Sequence, residues 1–194
     1  MSAPQAVLAS AIPSAAVAAT TWNPSDKAAS VTLSSGNLTI ANNGLTSYGA
    51  VRATTGKAAG KWYWEVVINT TGGSNFIQLG IMNASATLAS GYPGSDANGR
   101  GYYQQTGQKY VSAVASTYGA SYTNGDVIGF ALDMDSGTIT CYKNGTSQGV
   151  MFTSLTGTFF PAAACYNTGN NVSGRFKASD FTQTPPAGFT AIGV

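Results

Sequence analysis

The residue types that most often carry enzyme chemistry are scarce in this chain of 194 residues. It has no histidine, which removes histidine-based triads, histidine general bases and almost all zinc sites. Cys141 and Cys165 each lie in an apolar run without an activating neighbour in sequence, so neither is predicted to be a nucleophile. We interpret both as buried thiols acting as small hydrophobic side chains; one disulfide bridge between neighbouring strands is the alternative.

Carboxylates are the next candidates, because a pair of them can hydrolyse a glycosidic bond. Glu65 is the only glutamate, and it is expected to pair with a lysine or arginine at a sheet surface. Asp133 and Asp135 resemble the start of a calcium loop, but a third ligand and the terminal glutamate are missing, so a hairpin turn explains them. No catalytic residue, no metal site and no cofactor is predicted.

Tyrosine is the more informative resource, with ten residues, several of them in or beside a long predicted loop at 83–101. Tyrosine is rigid and amphipathic, which suits recognition surfaces, and long loops are often functional. Such rings could stack on sugars while amides and charged groups bond the hydroxyls; the alternative is that half of the rings pack into the core. The predicted ligand-binding residues are Tyr92, Asp96, Asn98, Arg100, Tyr102, Tyr103, Tyr118 and Tyr122.

The elements that would position these residues are strands. Between 126 and 145, Ile128, Phe130, Leu132 and Met134 alternate with the other face, and turn residues at 135–137 precede a second strand. Residues 22–26 are interpreted as a turn anchored by Trp22, and no amphipathic helix is predicted. Strands are predicted at 30–34, 38–41, 50–53, 62–69, 76–82, 102–104, 109–112, 127–134, 138–142, 159–166 and 172–177.

The hairpin DVIGFALDMDSGTITCYKNG resembles the SPRY domain, a family of concanavalin-like β-sandwiches. Four other segments are similar to pieces of that family, in the same order: GKWYWEV at 60–66, FIQLGI at 76–81, FFPA at 159–162 and FTQTPPAGFTA at 181–191. The resemblance covers about residues 22–194. It implies an all-β fold, an antiparallel two-sheet β-sandwich of the SPRY or concanavalin-like jelly-roll type. It also implies that ligands meet loops at one end of the sandwich.

The segment 1–21 precedes this domain and is rich in alanine, serine and proline. Its apolar side chains, Val7, Leu8, Ile12 and Val17, predict an extended arm used for anchoring or assembly, since exposed apolar surface usually marks a contact. Alternatives are an arm folded back on the sandwich or a tail. Prolines interrupt the segment too often for a membrane-spanning helix, and a secretory signal is the minority interpretation.

Charge and composition complete the prediction. Only 8% of residues are charged, against about 25% in an average domain, and the net charge of +2 shows no basic stripe. Binding to nucleic acid is therefore not predicted. Insertion into a membrane is not predicted either, because prolines interrupt the apolar segment 1–21.

With the resemblance, this composition predicts a non-enzymatic surface protein of a bacteriophage virion, acting in capsid decoration, as a head fibre or in a tail. The arm would bind other virion proteins, the loops would bind a host surface glycan or protein, and virion symmetry suggests a homotrimer. The protein would be made in the host cytoplasm and located on the virion surface.

Two alternatives stay open. One is a cellular SPRY adaptor that binds a short peptide, with a secreted or cytoplasmic location. The other is a concanavalin-like enzyme that cleaves glycans, which would need a second carboxylate facing Glu65 across a cleft.

Overall fold

The computed structural model describes residues 18–43, 46–72 and 76–193, which form fifteen strands and one 3-10 helix at Ala178–Asp180. The strands, in chain order, are β1 Trp22–Lys27, β2 Val31–Ser34, β3 Thr39–Asn42, β4 Gly49–Ala53, β5 Lys61–Thr70, β6 Ile77–Met82, β7 Gly99–Tyr103, β8 Lys109–Val111, β9 Val114–Ser116, β10 Val127–Asp133, β11 Thr138–Lys143, β12 Thr146–Phe152, β13 Phe160–Cys165, β14 Asn171–Arg175 and β15 Thr190–Ala191.

These strands form two antiparallel sheets. Sheet I has the order β1-β4-β13-β6-β7-β8-β9, and sheet II has the order β12-β11-β10-β5-β14-β3-β2. The short strand β15 adds to β5 of sheet II in parallel. The predicted all-β antiparallel sandwich is confirmed.

The core lies between the sheets and follows from alternation along their central strands. In β10, Ile128, Phe130 and Leu132 are fully buried, and the ring of Phe130 stacks on Trp64 of β5 with centroids 5.2 Å apart. Burying a large apolar side chain contributes about 1.5–3 kcal/mol, so this layer supplies much of the driving force for folding.

Three peripheral strands and one turn were predicted incorrectly. Residues 22–26 form most of strand β1 and not a turn, because β1 is a sheet edge, where Pro24 removes no required hydrogen bond. Strand β12 was missed because its first residues are polar and exposed, so it lacks the alternation that marks a half-buried strand. Strands β9 and β15 were also missed; both are short.

Residues 1–17 of the predicted arm 1–21, which include Val7, Leu8, Ile12 and Val17, lie outside the described residues, so the anchoring or assembly role of the arm stays a prediction. Contact with the sandwich begins before Trp22, since Thr20 is buried and its hydroxyl bonds that of Thr55 at 2.7 Å.

Glu65 fastens the C-terminal segment to sheet II. Its carboxylate is fully buried and accepts hydrogen bonds from Arg175 Nη1 at 3.2 Å and from the backbone N–H groups of Thr182 at 3.0 Å and Gln183 at 2.8 Å. The expected ion pair with a cation is therefore present, but Glu65 lies beneath the C-terminal segment and not at the surface.

Glu65→Ala should lower the free energy of unfolding by about 3 kcal/mol, the lower end of the usual cost of breaking a buried ion pair. It leaves two partly buried N–H groups and a partly exposed arginine without their acceptor. Urea denaturation followed by tryptophan fluorescence measures the change. The exposed acid Asp180, replaced by alanine, is the matched control. Equal unfolding midpoints for the two variants would contradict this account of Glu65.

A loop from residue 83 to residue 98, the covering loop, lies on the outer face of sheet I. It packs backbone against backbone, since a Cβ atom at Gly101 of β7 would lie 1.9 Å from the Pro93 carbonyl oxygen. A Cβ at Gly99 would lie 2.7 Å from the Gly94 nitrogen. Only glycine at these two outward positions lets the loop approach the strand so closely.

Gly101→Ala should displace the covering loop and destabilise the protein by about 1–3 kcal/mol, the usual cost of overpacking. Hydrogen–deuterium exchange of peptides spanning 83–98 should rise, and the urea midpoint should fall. Ser116→Ala, on exposed strand β9 of the same sheet, serves as the control. If the covering loop of the Gly101→Ala variant exchanges at the same rate as in the wild-type protein, the close approach of loop and strand is unimportant.

Candidate ligand-binding pocket

A surface pocket opens where the covering loop meets one end of sheet I. Its volume is about 280 Å³. Six half-buried aromatic rings line it, and we call them the aromatic cage: Tyr48, Phe76, Tyr92, Tyr103, Tyr110 and Tyr166.

Strand register brings these rings together. Cys165, the last residue of β13, pairs with Gly49 of β4 on one side and with Ile77 of β6 on the other. The aromatic residues adjacent to these three positions therefore meet at the same end of the sheet. The remaining rings come from the end of β7, from β8 and from the covering loop.

The six rings contact one another in a closed circuit. Neighbouring planes meet at 69–87° in four of the six contacts, so the rings stand as walls around the pocket and do not stack into one layer. The successive centroid distances are 4.6 Å for Tyr48–Tyr92, 6.2 Å for Tyr92–Tyr110, 5.7 Å for Tyr110–Tyr103, 6.2 Å for Tyr103–Phe76, 5.2 Å for Phe76–Tyr166 and 5.1 Å for Tyr166–Tyr48.

Gln78 is the remaining lining residue. It lies in β6 opposite Tyr103, and the residue is 2% exposed. Its Oε1 atom has no hydrogen-bond partner among the described residues. An unsatisfied buried acceptor costs about 1–3 kcal/mol. Gln78 lines the pocket, but its oxygen is closed off from solvent and lies 3.0 Å from where a Cβ atom at Gly101 would be.

The cage is electrically neutral. None of its described lining residues carries a formal charge at neutral pH. Burial, together with the neighbouring phenols, raises the pKa of Tyr48 far above its usual value. Burial, followed by Tyr110, raises the pKa of Tyr103 to about 12. These phenols therefore stay protonated under physiological conditions.

Of the eight predicted ligand-binding residues, Tyr92 and Tyr103 line the pocket. Asp96, Asn98 and Arg100 instead shape the covering loop.

The Asp96 carboxylate accepts the N–H groups of Thr87 at 3.0 Å and of Asn98 at 2.8 Å. The Asn98 side chain accepts a bond from Asn83 at 3.2 Å, and Arg100 Nη1 donates to the Ala97 carbonyl at 2.8 Å. These contacts are internal to the loop and its junction with β7.

The other three predicted tyrosines serve the interior. Tyr102 and Tyr122 are fully buried, and the Tyr122 hydroxyl donates to the Tyr102 carbonyl at 2.8 Å. The Tyr118 hydroxyl donates to the Gly149 carbonyl at 2.6 Å and accepts from the Cys141 N–H at 3.1 Å. Tyr102 and Tyr122 therefore belong to the core and not to a ligand-facing surface. Alternation along β7 points Tyr102 between the sheets, and the segment before β10 packs Tyr122 against it, with ring centroids 5.0 Å apart.

Sequence reasoning left out Tyr48, Phe76, Gln78, Tyr110 and Tyr166 as site residues. Tyr48, Phe76 and Tyr166 each lie one residue outside a strand, and only the register of β4, β13 and β6 brings them together. One signal was available: Gln78 is the polar residue in the otherwise apolar stretch FIQLGI.

Other chemistry finds little support in the described part of the chain. No group of three or more potential metal-ligating side chains occurs there. Cys141 and Cys165 are buried and unbridged, which confirms the interpretation as buried thiols, and burial raises the pKa of Cys165 to about 12. No helix within these residues is long and apolar enough to cross a membrane.

Comparison with known proteins finds relatives of this chain among animal proteins. It is 34% identical over 167 residues to Ran-binding protein 9 of Xenopus tropicalis, covering 82% of this chain and 30% of that protein. Ran-binding protein 9 of Homo sapiens is 32% identical over the same length, with 23% of that protein covered. The chain thus spans less than a third of the length of each of these relatives.

These relatives correct the functional prediction. They are cellular proteins, so the predictions of a bacteriophage virion surface protein, of capsid or tail partners and of a virion-surface location are wrong. The predicted ligand, a host surface glycan or protein, depended on the virion hypothesis, and so did the homotrimer inferred from virion symmetry. Neither prediction is retained. Low charge and a hydroxyl-rich composition describe a surface but do not identify the particle or cell that carries it.

Solved structures agree with the fold. The SPRY domain of human HERC1 superposes with a TM-score of 0.69 at 21% identity, covering 79% of this chain and 96% of that one. A second human SPRY domain superposes with a TM-score of 0.63 at 21% identity, covering 75% and 94%. The sequence profile of the SPRY domain matches residues 61–179, more than half of the chain. With these sheets and this sequence match, the chain belongs to the SPRY domain family.

Proposed function

We propose that this protein is a non-enzymatic interaction module that binds a short peptide segment of a cellular partner protein, with the aromatic cage as the anchor point. The observation that carries the proposal is the closed circuit of six rings around an uncharged surface pocket.

The size of the pocket supports a peptide anchor. Sites for whole small molecules usually occupy about 300–1,000 Å³. At about 280 Å³, this pocket lies just below that range, and it would hold one or two side chains. A peptide could place one residue in the cage and gain further affinity from the surrounding loops.

The cellular SPRY relatives support the same class of function. Their names refer to Ran, but the chain spans 30% or less of the relatives considered. The guest of this domain is therefore argued from the pocket and not from those names. Two unbridged cysteines suit a reducing compartment, and we place the protein in the cytoplasm.

The glycan-cleaving alternative lacks a reactive carboxylate at Glu65. Both oxygens of that side chain accept hydrogen bonds from the C-terminal segment and Arg175, and the side chain is fully buried. A catalytic carboxylate would have to reach a substrate. This supports an interaction role over a hydrolytic one.

Selection from a random peptide library displayed on phage tests the proposal. Wild-type protein should enrich a defined motif, and peptides carrying it should bind about tenfold more weakly to Tyr110→Ala, because one wall of the cage is lost. Fluorescence anisotropy measures the affinities.

Tyr142→Ala is the matched control, since Tyr142 is a half-buried tyrosine on sheet II. Enriched peptides that bind both variants as tightly as wild type would place the site elsewhere. The same selection is run with Tyr110→Ala as bait. If the wild-type protein enriches no motif that this variant does not also enrich, the proposal is rejected.

A further inference from the structure

We infer that the side chain anchored in the aromatic cage is cationic and carries N–H donors, with the arginine guanidinium as the best fit. This inference rests on the proposed peptide-binding function and specifies the chemistry of its anchor. Two independent features of the pocket support it: the walls and the floor.

The walls favour a cation. Cations are attracted to the faces of aromatic rings, and arginine is the protein side chain most often found there. Five of the six rings are tyrosines, and the described lining contains no positive charge that would repel a cationic guest. Rings meeting at steep angles surround a guest from several sides, which a flat stacking platform for a sugar does not do.

The chain's own cations near this region contact rings outside the cage. The Arg100 guanidinium lies 5.6 Å from the Phe152 ring centroid, and Lys109 Nζ lies 5.2 Å from the same centroid. Lys109 Nζ also donates to the Met151 carbonyl at 2.8 Å. Lys109 directly precedes the cage residue Tyr110 in sequence, yet its charge is engaged at strand β12. Arg100 also donates to the carbonyls of Ala97 and Gly99. The cage faces therefore remain available to a cation from another molecule.

The floor requires a donor. Gln78 Oε1 is a buried acceptor without a partner among the described residues. Gln78 lines the pocket, so a turn of its side chain would bring this oxygen to a guest. A guanidinium has five N–H donors and no acceptor, and it would then satisfy the oxygen while its plane lies against the rings. An aliphatic side chain would leave the oxygen unpaired. A sugar would need several polar partners, whereas Gln78 is the one amide of the described lining.

The test compares two tripeptides that differ in charge but hardly in shape: acetyl-Gly-Arg-Gly-amide and the same peptide with citrulline in place of arginine. The full-length protein, labelled at tyrosine, is titrated with each and followed by NMR. The arginine peptide should shift the tyrosine resonances that Tyr48→Phe and Tyr110→Phe assign to the cage. The citrulline peptide should bind about tenfold more weakly, because it keeps N–H donors and a similar shape but loses the positive charge and with it the cation–π attraction.

Gln78→Leu tests the floor separately. It removes the unpaired oxygen with a similar volume, so the protein should be at least as stable as wild type in urea. It should nevertheless bind the arginine peptide several-fold more weakly, while binding of a trimethyllysine peptide, which has no N–H on its cation, should be unchanged. Equal weakening for both peptides would overturn the role of Gln78.

The outcomes separate this inference from the proposed function. Equal affinity for arginine and citrulline, or selected peptides that occupy the cage without a basic residue, would overturn the cationic guest and leave the peptide-binding function standing. Shifts with methyl glucoside and none with arginine would identify a sugar-binding cage and overturn both. Absence of any shift in the cage tyrosines with arginine would also refute the inference, whatever the library selection shows.

Discussion

The pocket depends on one buried cation, Arg52, which fixes the covering loop to sheet I. Its side chain is 8% exposed and makes a two-point ion pair with Asp26 of β1, each contact 2.7 Å long. Its remaining nitrogen donates to the backbone carbonyls of Asn83 at 2.7 Å and Ala86 at 3.2 Å. A buried charge is tolerated only when it is paired and fully hydrogen-bonded, so Arg52 specifies where the loop must begin.

Two other features fix the rest of the covering loop. Small side chains on the outer face of β4 and β13, Ala50, Ala162 and Ala164, form a second apolar cluster with Met82 and Ala86. Beyond them, the glycines of β7 let the loop backbone lie on the strand. The loop therefore belongs to the wall of the pocket. Because Tyr92 is already seated against Tyr48, binding would require little ordering of the cage, and preorganisation of this kind raises affinity.

The sequence was a good guide to the elements and a poor guide to the site. The β10–β11 hairpin was predictable because its alternation and turn residues are local, and the SPRY resemblance supplied the sheets. Tyr48 and Tyr166 are 118 residues apart in the chain. They meet only because β4 and β13 pair in one particular register. The buried Tyr102 and the cage residue Tyr103 are neighbours in sequence, and a one-residue change of register would exchange their roles.

Gln78 shows why a local conflict is more informative than composition. The neighbouring inward positions of β6, Ile77, Leu79 and Ile81, follow the expected apolar alternation. Asn42 and Gln104 are also buried with an unpaired oxygen, but their amide nitrogens hold backbone carbonyls, so each has a structural role. Gln78 makes no such contact with the described residues. An apolar residue would pack there at no polar cost. A buried polar side chain that lines a ring-lined pocket and makes no hydrogen bond with the described residues favours a binding role.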